Sequence, residues 1–427
     1  MADSVQAIPE ELEPELPPPR RGRAVALLGH RDFRRLFGAV AASELGDSLH
    51  YIALMWVALE TGGPLGVIAV RLADSVPALL FGLHGGLAAD RWDRRRLMVA
   101  ADLTRGLVLV PVAVGGLTGH LPLWGLAVAA LALATATSYF APAYGAVVPA
   151  LVGRQHVQEA NALVQATAQT LSIRGWAVAA GLLAVLPISV FFVANAATFF
   201  LSAALIAGIG HAAGRADHAE PPGLREGFAA LRPRPELAVG VVVLGVAVTI
   251  SAGTWIAGIP TLVRDTLGHG AGAFSLVMVG YAAGSISGGL ALARFPIRRK
   301  ALVSVLAWLL YLPAYGLMAL GGTLAVAIAG AVAAGLGQGS SVVLLTAAAQ
   351  EDVPDALLGR VMGLISLVHR GAHATGLILV APLFAVFEPR SVFAGAGVAL
   401  ALIGLAGAAI PRAAAARARG RNRSRRS

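Results

Sequence analysis

The sequence contains no cysteine, which excludes disulfides, thiolate metal centres and cysteine nucleophiles. Charge is scarce too: Asp, Glu, Lys and Arg make up 13% of the 427 residues. No Gly-x-x-x-x-Gly-Lys-Ser/Thr loop is present to cradle nucleotide phosphates, so a pump driven by ATP is not expected. The first 23 residues hold no apolar core, and no cleavable signal peptide is expected there. Acid-rich and proline-rich, they read as a disordered tail.

What is plentiful is apolar length. Hydrophobic residues reach 57% and the mean hydropathy is +0.74. A spanning helix requires about 20 mostly apolar residues. Twelve segments qualify: 36–58, 64–85, 97–117, 122–145, 162–185, 187–210, 237–259, 271–293, 301–319, 322–347, 361–385 and 392–410. The expected fold class is all-α integral membrane with 12 transmembrane helices. The 51 glycines suit helices that approach closely through small residues.

Lys and Arg set the orientation. With the N-terminus cytoplasmic, 27 of the 33 fall in tails and loops on that side, and two, Arg264 and Arg390, on the other. Both termini are therefore expected in the cytoplasm. The net charge of +10 is this same loop and tail arginine, so no nucleic-acid partner is expected. The expected partners are a small-molecule substrate and membrane lipid, which the basic C-terminal stretch could touch.

The two halves resemble each other. "GGLAADRWDRRR" at 85–96 recurs as "GGLALARFPIRRK" at 288–300, and "PALVGRQHVQEANAL" (149–163) echoes "EDVPDALLGRVMGL" (351–364). Parallel repeats of this kind belong to transporters. The division that follows is a tail over 1–35, a six-helix bundle over 36–210, a cytoplasmic linker over 211–236, a second bundle over 237–410, and a basic tail over 411–427.

The stretch "GGLAADRWDRRRL" packs six charged residues into thirteen positions between two apolar blocks. Gly85 and Gly86 would let the second span pack tightly against a neighbour. Asp90, at a helix end, could accept hydrogen bonds from a facing helix N-terminus or an arginine. Such a latch would hold the halves together on the cytoplasmic side, with Asp102 and Arg105 near enough to join it. The alternative for the arginines is that they only fix topology. The second copy carries Ala293 in place of the aspartate.

With Gly86, Asp90, Arg91, Arg94 and Arg95, this loop resembles the Gly-x-x-x-Asp-Arg-x-Gly-Arg-Arg signature of the major facilitator superfamily. Asp93 stands where glycine is commonest. "FRRLFGAVAASELGDSLHYIALMWVALE" and "FAPAYGAVVPALV" look like the macrolide-efflux and enterobactin-exporter-like branch. The resemblance implies alternating access, with spans 1, 2, 5 and 11 bordering a central cavity. One departure stands out. Where proton-coupled exporters carry Gly-Pro-x-x-Gly-Gly in span 5, this sequence has "RGWAVAAG", keeping Gly175 but not the proline or the later glycines.

An ionisable residue at the bilayer centre costs about 2.5–3.5 kcal/mol, while a leucine returns about 0.3–0.6 kcal/mol. Glu44 and Asp47 must therefore face the interior or a wet cavity. Asp47, Asp74, Arg174 and His373 fall near one plane, where such transporters bind substrate and coupling ions. Asp47 and Glu44 are the candidates for carrying a proton. Asp74 follows Arg71 by one turn, so an internal ion pair is the expected fate of that aspartate. Arg174 could attract an anionic substrate or neutralise Asp47. His369, Arg370 and His373 share a face as cavity lining, proton relay or packing. No acid or cysteine stands beside the two histidines, and no metal is expected. Tyr139, Tyr144, Trp255 and Gln338 complete the cavity candidates.

The expected function is a secondary active transporter in the plasma or inner membrane, most simply a monomer. It would export a drug-like, antibiotic or siderophore-like molecule, driven by the proton gradient and without a cofactor. Uptake or facilitated transport by the same fold is the alternative, and a non-transporting sensor a more distant one. No enzyme is expected, because the acids lie at midplane and the loops are short.

Overall fold

The computed structural model describes residues 26–153, 156–210, 224–292 and 297–424. The expected N-terminal tail up to residue 25, linker residues 211–223, Ala293, and the side chains of Asp90 and of residues 411–424 lie outside the described residues.

Every regular element among the described residues is helical. The apolar runs leave no alternative, because inside a bilayer a helix satisfies its own backbone groups. In chain order the first five helices are α1 (Arg31–Arg91), α2 (Arg94–Leu117), α3 (Leu123–Val152), α4 (Val157–Leu182) and α5 (Ser189–Ala207). Next come α6 (Leu224–Leu231), α7 (Pro235–Thr261) and α8 (Ala271–Leu292). Then α9 (Lys300–Leu306) runs through a 3-10 turn into α10 (Tyr311–Leu320), followed by α11 (Leu324–Asp352), α12 (Asp355–Leu379), α13 (Leu383–Val386) and α14 (Pro389–Ser424).

Ten of the described helices are long and apolar enough to cross a membrane. Two physical features separate this number from the expected twelve. The stretch Arg31–Gly82 counts once although its 52 residues would measure about 78 Å at 1.5 Å per residue, far beyond one bilayer crossing. Its break is at Gly63, whose φ of 60° and ψ of −157° lie outside the helical region and suit glycine alone. The other is α4, whose Asn161, Gln165, Gln169 and Arg174 dilute its apolar character.

Local signals explain the helix ends. The Asp93 carboxylate accepts the Arg96 N–H at 2.8 Å and caps α2. Pro235 occupies the first turn of α7, where no N–H is needed. Gly153, at φ 78°, ends α3.

The helices pack in two groups. In the first, α1 lies against α3, α4 and α5, and α2 lies against α3 and α5; in the second, α8 lies against α11, α7 against α12, and α10 against α14. Glycine sets the tightest seams. Cβ atoms at Gly284, Gly335 and Gly339 would collide with the backbone carbonyls of Val332, Tyr281 and Ser285, so α8 and α11 touch main chain to main chain. Gly335→Leu is expected to lower stability by about 1–3 kcal/mol or more. Gly316→Leu, with nothing within 4 Å of its Cβ, should cost little. Melting of both variants in detergent checks the difference.

The groups join near the ends marked by Gly63 and residues 267–270. There Arg264 donates to the Leu59 carbonyl at 2.5 Å, Ser275 donates to the Trp176 carbonyl, and Trp56 stacks on Phe274 with ring centres 6.3 Å apart. At the opposite end each group is tied within itself. Arg35 donates to Gly208 O and the Gly210 N–H to Asp32 in the first. Arg234 donates to Asp352 O, Arg299 pairs with Glu236, and Lys300 pairs with Glu351 in the second.

Candidate functional site

Gly46 decides where the acidic face of α1 goes. A Cβ here would collide with Thr198 and Asn195 of α5, so the missing side chain lets the two helices meet. The contact brings Asn195, itself fully buried, to Asp47; its Nδ2 donates to Asp47 Oδ1 at 3.1 Å. Asp47 is exposed to a cavity of about 190 Å³ enclosed by α1, α2, α3 and α5. Arg71, Asp74 and Arg105 share that cavity, together with His50, Tyr51 and Thr137.

The arginines of this cavity have partners. Arg71 Nη1 donates to Asp74 Oδ2 at 2.8 Å, and its guanidinium carbon lies 5.8 Å from the centre of the Tyr51 ring. Arg105 is held from three directions. Its Nη2 lies 2.6 Å from Asp102 Oδ1, and its guanidinium sits between the rings of Phe140 and Phe199, at 4.4 and 4.6 Å. Behind it, Ser202 Oγ donates to Asp102 Oδ2 at 2.6 Å. Three carboxylates, Asp47, Asp74 and Asp102, thus stand with two guanidiniums. Asp74 and Asp102 each have their own arginine. Asp47 has a neutral amide.

Glu44 is half-buried one turn before Asp47 and within electrostatic reach of Tyr144. The Tyr144 hydroxyl is buried with no hydrogen-bond partner among the described residues, its ring stacked on Phe140. On α12 the rings of His369 and His373 stand 4.8 Å apart, half-buried, with His373 in electrostatic reach of Arg71. Arg174 and Arg370 are exposed. Trp255 packs on Tyr281 at 4.3 Å between ring centres, and Gln338 Oε1 accepts from the Tyr311 hydroxyl at 3.3 Å. Among the described residues no three His, Cys, Asp or Glu side chains group as metal ligands.

Some expected roles change. A Cβ on Gly86 would meet nothing within 4 Å; Gly85 alone makes the close approach, against the Ser138 carbonyl. Asp102 and Arg105 turn into the first helix group and pair there, because Ser202 and two phenyl rings supply a better shell than a loop does. Arg94 is buried, donating to Ala89 O and Ala146 O, and Arg95 donates to Ile209 O at 2.7 Å. These arginines tie the first group to itself. Arg91 is exposed. Tyr139 leaves the central cavity and shares a hydrogen bond with His84 Nδ1 at 2.8 Å, in a pocket beside α2.

Sequence reading missed Asn195, Ser202, His50, Tyr51 and the rings around Arg105. Asn195, alone within "FFVANAATFF", was the one carrying a signal: an amide at bilayer depth needs a partner.

The sequence profile of the Major Facilitator Superfamily matches residues 36–377. The uncharacterized MFS-type transporter YfiS of Bacillus subtilis (strain 168) is 28% identical over 173 residues, which is 40% of this chain and 40% of its own length. Macrolide efflux protein A of Streptococcus pyogenes is 26% identical over 365 residues, covering 81% of this chain and 88% of its own. Among solved structures, the nucleoside transporter NupG superposes with a TM-score of 0.68 at 13% identity, over 88% of this chain and 98% of that one. A bacterial homologue of the iron transporter ferroportin, in its inward-facing state, gives 0.68 at 15% identity over the same shares. With a many-helix membrane fold, a charged cavity inside it and a profile match over most of its length, this chain belongs to the Major Facilitator Superfamily, a family of transporters and not of enzymes.

Proposed function

We propose that this protein is a proton-coupled secondary exporter of a drug-like or antibiotic-like small molecule. It works as a single chain in the plasma membrane with both termini cytoplasmic. On this reading Arg31–Arg91 crosses the bilayer twice and α4 crosses once. That makes twelve spans, six each in 36–210 and 237–410, joined by the linker 211–236. The observation that carries the proposal is the carboxylate of Asp47, which makes no ion pair among the described residues and is open to a cavity whose two arginines already have partners. Protonation of Asp47 leaves that set of three acids and two arginines electrically neutral, and its release restores one net negative charge. A charge change of this kind in a low-dielectric bundle is large enough to bias alternating access. The likeness to macrolide efflux proteins supports export and suggests the first substrate to try.

The test is flux in proteoliposomes with an imposed pH gradient and a radiolabelled macrolide. Accumulation should follow the gradient and vanish with an uncoupler; accumulation indifferent to the gradient would remove proton coupling from the proposal.

The contacts at Trp56–Phe274 and Leu59–Arg264 close the side away from the termini, which on this orientation makes the conformation inward-open. The absence of native cysteine offers a clean check. Trp56→Cys/Phe274→Cys, bridged by a short bis-methanethiosulfonate that attaches to each thiol through a disulfide, should lose transport almost completely and regain it when a thiol reductant cleaves those disulfides. Undiminished transport in the bridged protein would mean that these two helices need not separate.

A further inference from the structure

The outer face of the first helix group carries a long groove between α2 and α3. Its half nearer the 118–122 turn measures about 850 Å³ and the other half about 500 Å³, and they meet at Val128 and Ala132. The groove exists because its floor is small: Ala100, Ala101, Thr104, Gly125, Ala129 and Ala132 leave room that larger side chains would fill. A tryptophan marks each end, Trp124 at 72% exposure and Trp92 at 62%. Tryptophan favours the membrane–water interface, so the groove runs from one interface to the other.

The two ends differ. At the Trp92 end, Arg96 lies one turn before Ala100 and two before Thr104, on the same helical stripe of α2. Arg91 lies seven residues after the groove residue His84, on one face of α1. Both side chains are exposed, and neither guanidinium makes a hydrogen bond or ion pair among the described residues. Their neighbours are spoken for: Arg94 and Arg95 bind backbone carbonyls, and Asp93 caps α2.

We propose that this groove binds an anionic phospholipid, its acyl chains along α2 and α3 and its phosphate between Arg91 and Arg96. Apolar length with a basic end is the pattern by which pockets between membrane helices select anionic headgroups. A second copy of this chain, itself at +10, fits such an end poorly. The site stands apart from the cavity of Asp47 and does not depend on what is transported.

Tryptophan quenching tests it, with the full chain in phosphatidylcholine nanodiscs containing dibrominated phosphatidylglycerol or dibrominated phosphatidylcholine. At equal mole fraction the phosphatidylglycerol should quench Trp92 with an apparent affinity at least about fivefold higher, from two basic side chains at the surface. Trp92→Phe should remove that component. Arg91→Gln/Arg96→Gln should bring the ratio to about one, while Arg91→Lys/Arg96→Lys keeps it. Ala132→Phe, which fills the groove, should weaken quenching of Trp124 by both lipids; if that variant misfolds, the arginine pairs still decide. A ratio of one in the unaltered protein, or a preference that survives the glutamine pair, overturns the proposal. So does shielding of both tryptophans in a cross-linkable dimer, which would make a second copy the occupant.

Discussion

Asp47→Asn is expected to abolish gradient-driven accumulation while leaving substrate binding within a few-fold of normal. One exchanged proton per substrate converts each unit of pH gradient into about 1.36 kcal/mol, a tenfold accumulation. The asparagine variant should therefore fall from about tenfold per pH unit to none. Downhill exchange of substrate should persist, because the amide keeps the shape of the side chain and its contact with Asn195. Glu44→Gln is the companion measurement. If Asp47→Asn accumulates substrate normally and Glu44→Gln does not, the coupling acid is the residue one turn earlier. If both variants behave as the parent, neither acid carries the proton.

Arg105→Met should be the most destabilising single change in the first helix group. Asp102 is wholly buried and Arg105 nearly so, and removing one partner of a buried pair strands the other charge at a cost of about 3–5 kcal/mol. The lost contacts with Phe140 and Phe199 add to this. Arg105→Met/Asp102→Asn should recover much of the stability, since position 102 then holds no stranded charge. Arg105→Lys should fall between the two, keeping the charge but losing the planar fork between two rings. Thermal melting in detergent reads all three. If the double variant melts no higher than Arg105→Met, the penalty comes from packing and not from a stranded carboxylate.

Hydropathy and charge placement were legible because they add up along the chain. The apolar runs call for a membrane-embedded helical fold, and "GGLAADRWDRRRL" carries the superfamily signature in thirteen consecutive residues. Arg71 and Asp74 were legible as a pair for the same reason, since one helical turn separates them and no other helix is needed to join them. Asp102 and Arg105 share that spacing and do pair. Their direction was misjudged, because Ser202, Phe140 and Phe199 come from helices far along the chain.

Tyr139 shows the limit from the other side. Nothing local distinguishes a tyrosine that lines a central cavity from one that faces a groove on the outer wall; the rotation of α3 against α2 decides it, and His84 then holds the hydroxyl. Membrane embedding, helix content and the presence of costly acids in the first span were determined by the sequence alone, through transfer energies that each residue contributes independently. Tertiary structure alone decided that Asp47 would meet a neutral amide while its neighbours received arginines. That outcome depends on the close approach at Gly46 and on which helices become neighbours, and pair interactions between distant segments leave no periodic trace in a chain.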